Sequence, residues 1–135
     1  MGITDTLFIS ASGMKTQGAR MRVLAENVAN ANSLAKTPDG DPYRRKIISF
    51  ENAMNDELGV SQVKVDEIER DDSDFGNQFR PNHPAANEAG YVKTPNVKPL
   101  IEMADMKEAQ RSYEANLKVI ESSRTMVQGT LGLLR

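Results

Sequence analysis

Hydrophobic positions fall in two helical stretches at the ends of the chain, with a weaker alternating pattern between them. From about Thr4 to Asn32, Leu7, Met14, Met21 and Val28 recur every seven residues. Ala11, Gly18 and Ala25 follow the first three of these by four, and Leu24 and Ala31 fill the flank. That spacing predicts an amphipathic helix with one apolar seam. Its alanine and glycine positions are small, so a second backbone can come close. Asp5 complements the helix dipole in the first turn. Asn30, Asn32 and Ser33 end the pattern, because their side chains compete for backbone hydrogen bonds.

The C-terminal stretch is longer and more regular. Met103, Met106, Gln110, Tyr113, Leu117, Ile120, Arg124, Val127, Leu131 and Leu134 alternate steps of three and four, and eight of these ten are apolar or aromatic. This is a heptad seam sustained over more than four heptads. Pro99 suits a first helical turn, where Glu102 and Asp105 also meet the dipole. A helix of ~34 residues would be ~51 Å long, more than a chain of this size can cover by itself. Gly129 and Gly132 each cost about 1 kcal/mol against alanine. The end bearing Leu131, Leu133 and Leu134 is therefore expected to fray unless neighbouring chains hold it.

Between the helices, Thr37-Pro38-Asp39-Gly40-Asp41-Pro42 is dense in turn residues and predicts a loop. Tyr43 to Phe50, with Ile47, Ile48 and Phe50, predicts a strand. Val60 to Ile68 predicts another, with Val63 and Val65 alternating; Ile68 is out of phase and suggests a bulge or strand end there. Phe75 to Gly90 is rich in Gly, Pro and Asn and is expected to be loop. Tyr91-Val92 is a candidate last short strand. The expected fold is mainly α with a small β region. Long N- and C-terminal helices pair in a coiled-coil-like bundle, with short strands and loops between. The segments are 1–33, an N-terminal amphipathic helix; 34–97, loop and small β region; and 98–135, a C-terminal heptad helix. The two terminal helices together form the assembly core.

Composition narrows the function. The 135 residues are 39% hydrophobic, 27% charged and 5% aromatic, without tryptophan. That supplies a seam or a thin core, with seven methionines as adaptable packing groups. The net charge is −2, so there is no basic footprint for nucleic acid. It is +1 over residues 1–32, −3 over 33–100 and zero over 101–135. The nearly neutral ends suit burial against partners, and the middle is the solvated part. Cysteine is absent, which excludes a disulfide framework and a thiolate site. Leu7-Phe8-Ile9 is too short for a secretory leader or a membrane span and lacks a basic start. No membrane insertion and no cleaved signal peptide are expected.

Candidate chemistry is weak. Ser12-Gly13-Met14-Lys15 matches the S-x-x-K pattern of penicillin-binding enzymes, but Lys93-Thr94-Pro95 stands in place of K-T-G and no S-D-N occurs. Asp66, Glu67, Glu69, Asp71, Asp72 and Asp74 form an acidic cluster. As a calcium loop it fails, with glycine one position early and no closing glutamate, and a solvated face is the better reading. His83, the one histidine, has no companion ligand and is expected to bond loop backbone. No catalytic residue, metal or cofactor is expected. Asn27, Asn30 and Asn32 either terminate the helix or hydrogen-bond across subunits. Two assembly seams remain: Leu7, Met14, Met21, Leu24 and Val28 at the N-terminus, and Met103, Met106, Tyr113, Leu117, Ile120, Val127, Leu131 and Leu134 at the C-terminus.

Two long motifs resemble a known family. They are Ser10-Ala11-Ser12-Gly13-Met14 with Arg22-Val23-Leu24-Ala25-Glu26-Asn27-Val28-Ala29-Asn30-Ala31-Asn32, and Glu102-Met103-Ala104-Asp105-Met106 with Arg111-Ser112-Tyr113-Glu114-Ala115-Asn116. Both are similar to the terminal signatures of bacterial flagellar rod and hook axial proteins. The loop motifs Pro38 to Lys46 and Pro81 to Ala86, the latter followed by Gly90-Tyr91-Val92 and Pro95-Asn96-Val97, extend the resemblance over nearly the whole chain. Ser33 departs from the threonine usual there. The resemblance implies a structural subunit of the basal-body rod, made in the cytoplasm, exported by the flagellar type III apparatus and built into the periplasmic drive shaft that transmits torque. It implies Asn27, Asn30, Asn32, Tyr113, Glu114 and Asn116 as signature residues. The implied partners are further copies of the chain and the axial proteins FlgB, FlgF, FlgG and FliE. The competing reading is a cytosolic coiled-coil adaptor that forms a discrete dimer.

Overall fold

The computed structural model describes residues 2–135. The elements run α1 (Ile3–Ala29), β1 (Lys46–Asn55), β2 (Val60–Arg70), β3 (Gly76–Phe79), β4 (Tyr91–Thr94) and α2 (Pro99–Leu133). Along the chain two long helices flank four strands, which pair as two separate sheets, β1 with β2 and β3 with β4. The chain divides into two compact bodies. One takes the chain up to Met21, Ser49–Glu67 and Lys107–Arg135; the other takes Arg22–Ile48 and Ile68–Met106.

In the first body the helices meet at Gly13 and Asn116 and at Arg20 and Glu108. Ser10, Thr16, Ala109 and Ser123 are buried. At Gly13 an added Cβ would sit 2.7 Å from Nδ2 of Asn116, so glycine is what lets α2 come this close. Arg20 reaches Glu108 at 3.7 Å. These pairs give an antiparallel register in which seven residues up α1 match about seven down α2. At that register Ile3, the first residue of α1, falls level with Met126. The last two turns of α2, ~10 Å of helix, run on with no α1 beside them. Asp5 accepts the Gly2 N–H at 2.7 Å, satisfying one of the free donors at the start of α1. The hairpin turn between β1 and β2 closes with Leu58 and Gly59 N–H groups on the Asn55 carbonyl. Gly59 has φ 64° there, a conformation that favours glycine.

In the second body Val23, Leu24, Ala85, Val92 and Val97 form the buried apolar core. Strand β3 pairs antiparallel with β4, Gly76 opposite Thr94 and Phe79 opposite Tyr91. Phe79 and Tyr91 meet edge to face with centroids 5.3 Å apart. The intervening loop is tied by backbone bonds, and His83 Nδ1 accepts the Ala85 N–H at 3.0 Å.

Three sequence expectations need correction. Gly76–Phe79 is a strand, not loop; all four residues are exposed, so no apolar alternation marked it. Strand β1 starts at Lys46 rather than Tyr43 and continues past Phe50 to Asn55. Ile68 is no strand end, because β2 continues to Arg70. Helix α1 stops at Ala29, just ahead of Asn30, Asn32 and Ser33. Asn30 donates its amide to the Glu26 carbonyl at 2.9 Å and accepts from Ser33 at 3.0 Å.

Candidate assembly surfaces

The second body contains a polar knot built around two fully buried side chains, Asn27 and Glu102. Asn27 sits in the last turn of α1. Its amide donates to the Lys46 carbonyl at 2.9 Å and to the Glu102 carboxylate at 3.1 Å. Its oxygen accepts the Lys46 N–H at 2.9 Å and the Tyr43 hydroxyl at 2.8 Å. All four hydrogen bonds of this side chain are made within the chain. Glu102 lies in the first turn of α2 and is 1% exposed. Arg45 donates from Nε to Glu102 and from Nη1 to Asp71, the latter at 3.2 Å. Asn96 accepts the Arg45 N–H at 2.7 Å and donates to the Asp71 carbonyl at 2.9 Å. Lys46 Nζ meets Glu26 at 2.7 Å. A cleft of ≈ 220 Å³ beside the knot is lined by Arg45, Asp71, Ser73, Asn96, Lys98, Ile101 and Glu102. Arg45 there pairs with both Asp71 and Glu102.

The ionisation of this body follows its contacts. The Ser73 backbone N–H and hydroxyl, then Arg45, hold the Asp71 carboxyl below its ordinary value. Lys46 does the same for Glu26. Burial works against the Arg45 charge, but Glu102 and Asp71 outweigh it and raise its pKa. A carboxylate with a depressed folded-state pKa stabilises the fold above its unfolded value and loses that contribution as pH falls through the folded value. Urea midpoints of the chain are therefore expected to stay level from about pH 7 to 5 and to drop below about pH 4. A midpoint unchanged at the lowest pH would contradict these pairings.

The second surface lies along α2. Tyr113, Met106 and Ile120 are half-buried, whereas Met103, Leu117, Val127, Leu131 and Leu134 are exposed. Leu117 is 38% exposed, Leu131 57% and Leu134 79%. Met126 and Leu133 are exposed as well. Every residue from Arg124 to Arg135 is exposed, and from Thr125 to Leu134 none is charged. Of the N-terminal seam, Leu24 is buried and Leu7, Met14, Met21 and Val28 are half-buried; Ile3 and Phe8 are exposed. Glu114 is exposed and accepts from Gln110 at 3.2 Å. Asn116 packs against Gly13, and Asn32 is exposed.

The S-x-x-K match has no free nucleophile. Ser12 donates its hydroxyl to the Ile9 carbonyl at 2.7 Å and accepts the Val63 N–H at 3.4 Å. Among the described residues no group of three or more His, Asp or Glu side chains is placed to hold a metal. Likewise, no helix is long and apolar enough to cross a membrane.

Sequence reading missed Glu102 as a buried partner. It read as an ordinary first-turn acid, and its cation Arg45 stands 57 residues upstream.

Paired terminal helices with an uncovered apolar flank on α2 are the features of a structural subunit that acts by assembly. Comparison with known proteins gives the family. The chain is 48% identical over 127 residues to the flagellar basal-body rod protein FlgC of Agrobacterium fabrum, covering 94% of this chain and 91% of that one. It is 36% identical to FlgC of Borreliella burgdorferi over 100% of this chain and 99% of the relative. It is 39% identical to FlgC of Bacillus subtilis, covering 93% and 94%. Residues 88–133 match the family profile described as the flagellar basal body rod FlgEFG protein C-terminal region. The chain belongs to the FlgC family of flagellar basal-body rod proteins. It is a structural, non-enzymatic subunit of the rod.

Proposed function

We propose that this subunit is built into the periplasmic drive shaft through the apolar flank of α2, and that the flank's neighbours are other axial proteins. The partners are further copies of the chain together with FlgB, FlgF, FlgG and FliE. The flagellar type III export apparatus delivers it without a cleaved signal peptide. The seams Met103, Met106, Tyr113, Leu117, Ile120, Val127, Leu131 and Leu134, and Leu7, Met14, Met21 and Val28, are the contact faces, while Leu24 belongs to the chain's own core. Segments 1–33 and 98–135 form the assembly core, and 34–97 is the loop and β region between them. One observation supports this above the others. The stretch from Thr125 to Leu134 is uncharged and exposed throughout, and α1 is too short to cover it. A surface of that kind on a chain that transmits torque calls for neighbours that bury it. Open, non-closing contacts of this type generate filaments rather than discrete dimers.

Because the chain has no cysteine, a single Leu131→Cys reporter is clean. Photo-crosslinking from that thiol in purified basal bodies is expected to join the subunit to axial proteins. Crosslinks confined to a closed cytosolic dimer of the chain would reject the assignment.

A further inference from the structure

The helix pair buries the less apolar of the stripes available to it. On α2 the inward stripe is Glu102, Ala109, Asn116 and Ser123, spaced by seven; Glu102, Ala109 and Ser123 are buried and Asn116 packs on Gly13. Met106, Tyr113 and Ile120 lie about 40° round the helix from it and are only half-covered. Apolar burial alone favours turning α2 so that these three face α1. Little apolar packing opposes that turn, since Ala109 is the single buried apolar residue of α2. What opposes it is the knot. Turning α2 would pull Glu102 from Arg45 and Asn27 and strand a carboxylate in the interior, which is far costlier than the apolar area gained.

We propose that Asn27, Arg45 and Glu102 form a register pin that locks the helix pair with its small, polar stripe inward and so reserves the apolar stripe for neighbouring subunits. A buried polar group that fixes helix register at some expense of stability is a known use of such residues in coiled coils. The inference rests on the reading of the apolar flank as the rod contact. It names positioning residues, which act through α2 without touching a neighbour themselves.

The test replaces the ion pair by apolar residues of similar bulk, Arg45→Leu with Glu102→Leu, in the full chain. The register is read by oxidation of a Gly13→Cys/Asn116→Cys pair, whose Cβ atoms are near enough to bridge only in the native alignment. In the wild-type background the bridge is expected to form nearly completely. In the double-leucine chain the urea midpoint is expected to be unchanged or higher, while the bridge is lost and swimming is lost. Normal bridging or normal swimming in a folded double-leucine chain would overturn the pin. Should the leucines prevent folding, Arg45→Met with Glu102→Met runs the same test with more adaptable side chains. A chain that folds in neither form makes the knot a requirement of the fold itself and also overturns the proposal. Crosslinking from Leu131→Cys keeps its own outcome, so failure of the pin and failure of the rod contact are told apart.

Discussion

Glu102→Ala will cost the isolated chain about 3 kcal/mol of stability, the toll of breaking a buried ion pair from one side. Glu102 is 1% exposed and accepts from both Arg45 and Asn27. Removing it leaves the Asn27 amide with one partner and Arg45 with only Asp71. The new void also adds a cavity penalty. Arg45 is partly open to solvent, its side chain 25% exposed, which keeps the loss from being larger. Against a total stability of about 5–15 kcal/mol this is a large fraction. The measurement is urea unfolding, with a lowered midpoint at unchanged slope. Asn27→Ala should fall in the same range, since it strands the Lys46 backbone groups and the Tyr43 hydroxyl together. The two substitutions share a bond, so the double variant should lose less than the sum. A midpoint shift worth less than about 0.5 kcal/mol for Glu102→Ala, the size of an ordinary surface change, would remove the knot from any account of this fold.

The knot also marks the limit of what the sequence made legible. The helices were readable because seven-residue spacing in Leu7, Met14, Met21 and Val28, and in Met106, Tyr113, Ile120 and Val127, survives any detail of packing. The end of α1 was readable from Asn30 and Ser33, which bond locally. Which face of α2 turns inward was not. Apolar periodicity weighs Leu117 and Ile120 and passes over Ala109, Asn116 and Ser123, yet Ala109 and Ser123 are buried and Asn116 packs on Gly13 of α1. Close backbone approach at Gly13 selects small residues, and the knot selects a charged one. Neither preference shows in a hydrophobic pattern. Asn27 was read either as a helix terminator or as a bond across subunits, and neither reading named its partners within the chain, Tyr43, Lys46 and Glu102. A bond between residues 75 apart leaves no local trace. Strand β3 was hidden for a different reason. It is held by backbone pairing to β4, and its exposed Gly76, Asn77 and Gln78 offer no alternation to read.

Leu131→Asp will stop cells from swimming while leaving the isolated chain as stable as the wild type. The two halves of that outcome have different causes. In the single chain Leu131 is 57% exposed and lies past the reach of α1, so a charge there meets water and changes stability by less than about 0.5 kcal/mol. If α2 makes the proposed rod contact, a neighbour covers the same position in the assembled rod. A buried leucine contributes about 1.5–3 kcal/mol, and a carboxylate in its place adds a desolvation cost of several kcal/mol more. That penalty recurs at every equivalent contact in the array. Leu117→Asp, at a position 38% exposed, should behave the same way with a small loss of monomer stability. Ile120→Asp is the contrasting case, because Ile120 is half-buried within its own chain. It should damage both the monomer and the rod. Swim-plate halos of complemented null cells, set beside urea midpoints of the purified chains, separate these outcomes. Wild-type halos from Leu131→Asp would mean that the uncovered end of α2 faces solvent in the rod, and that the subunit is held there by its half-buried seam alone.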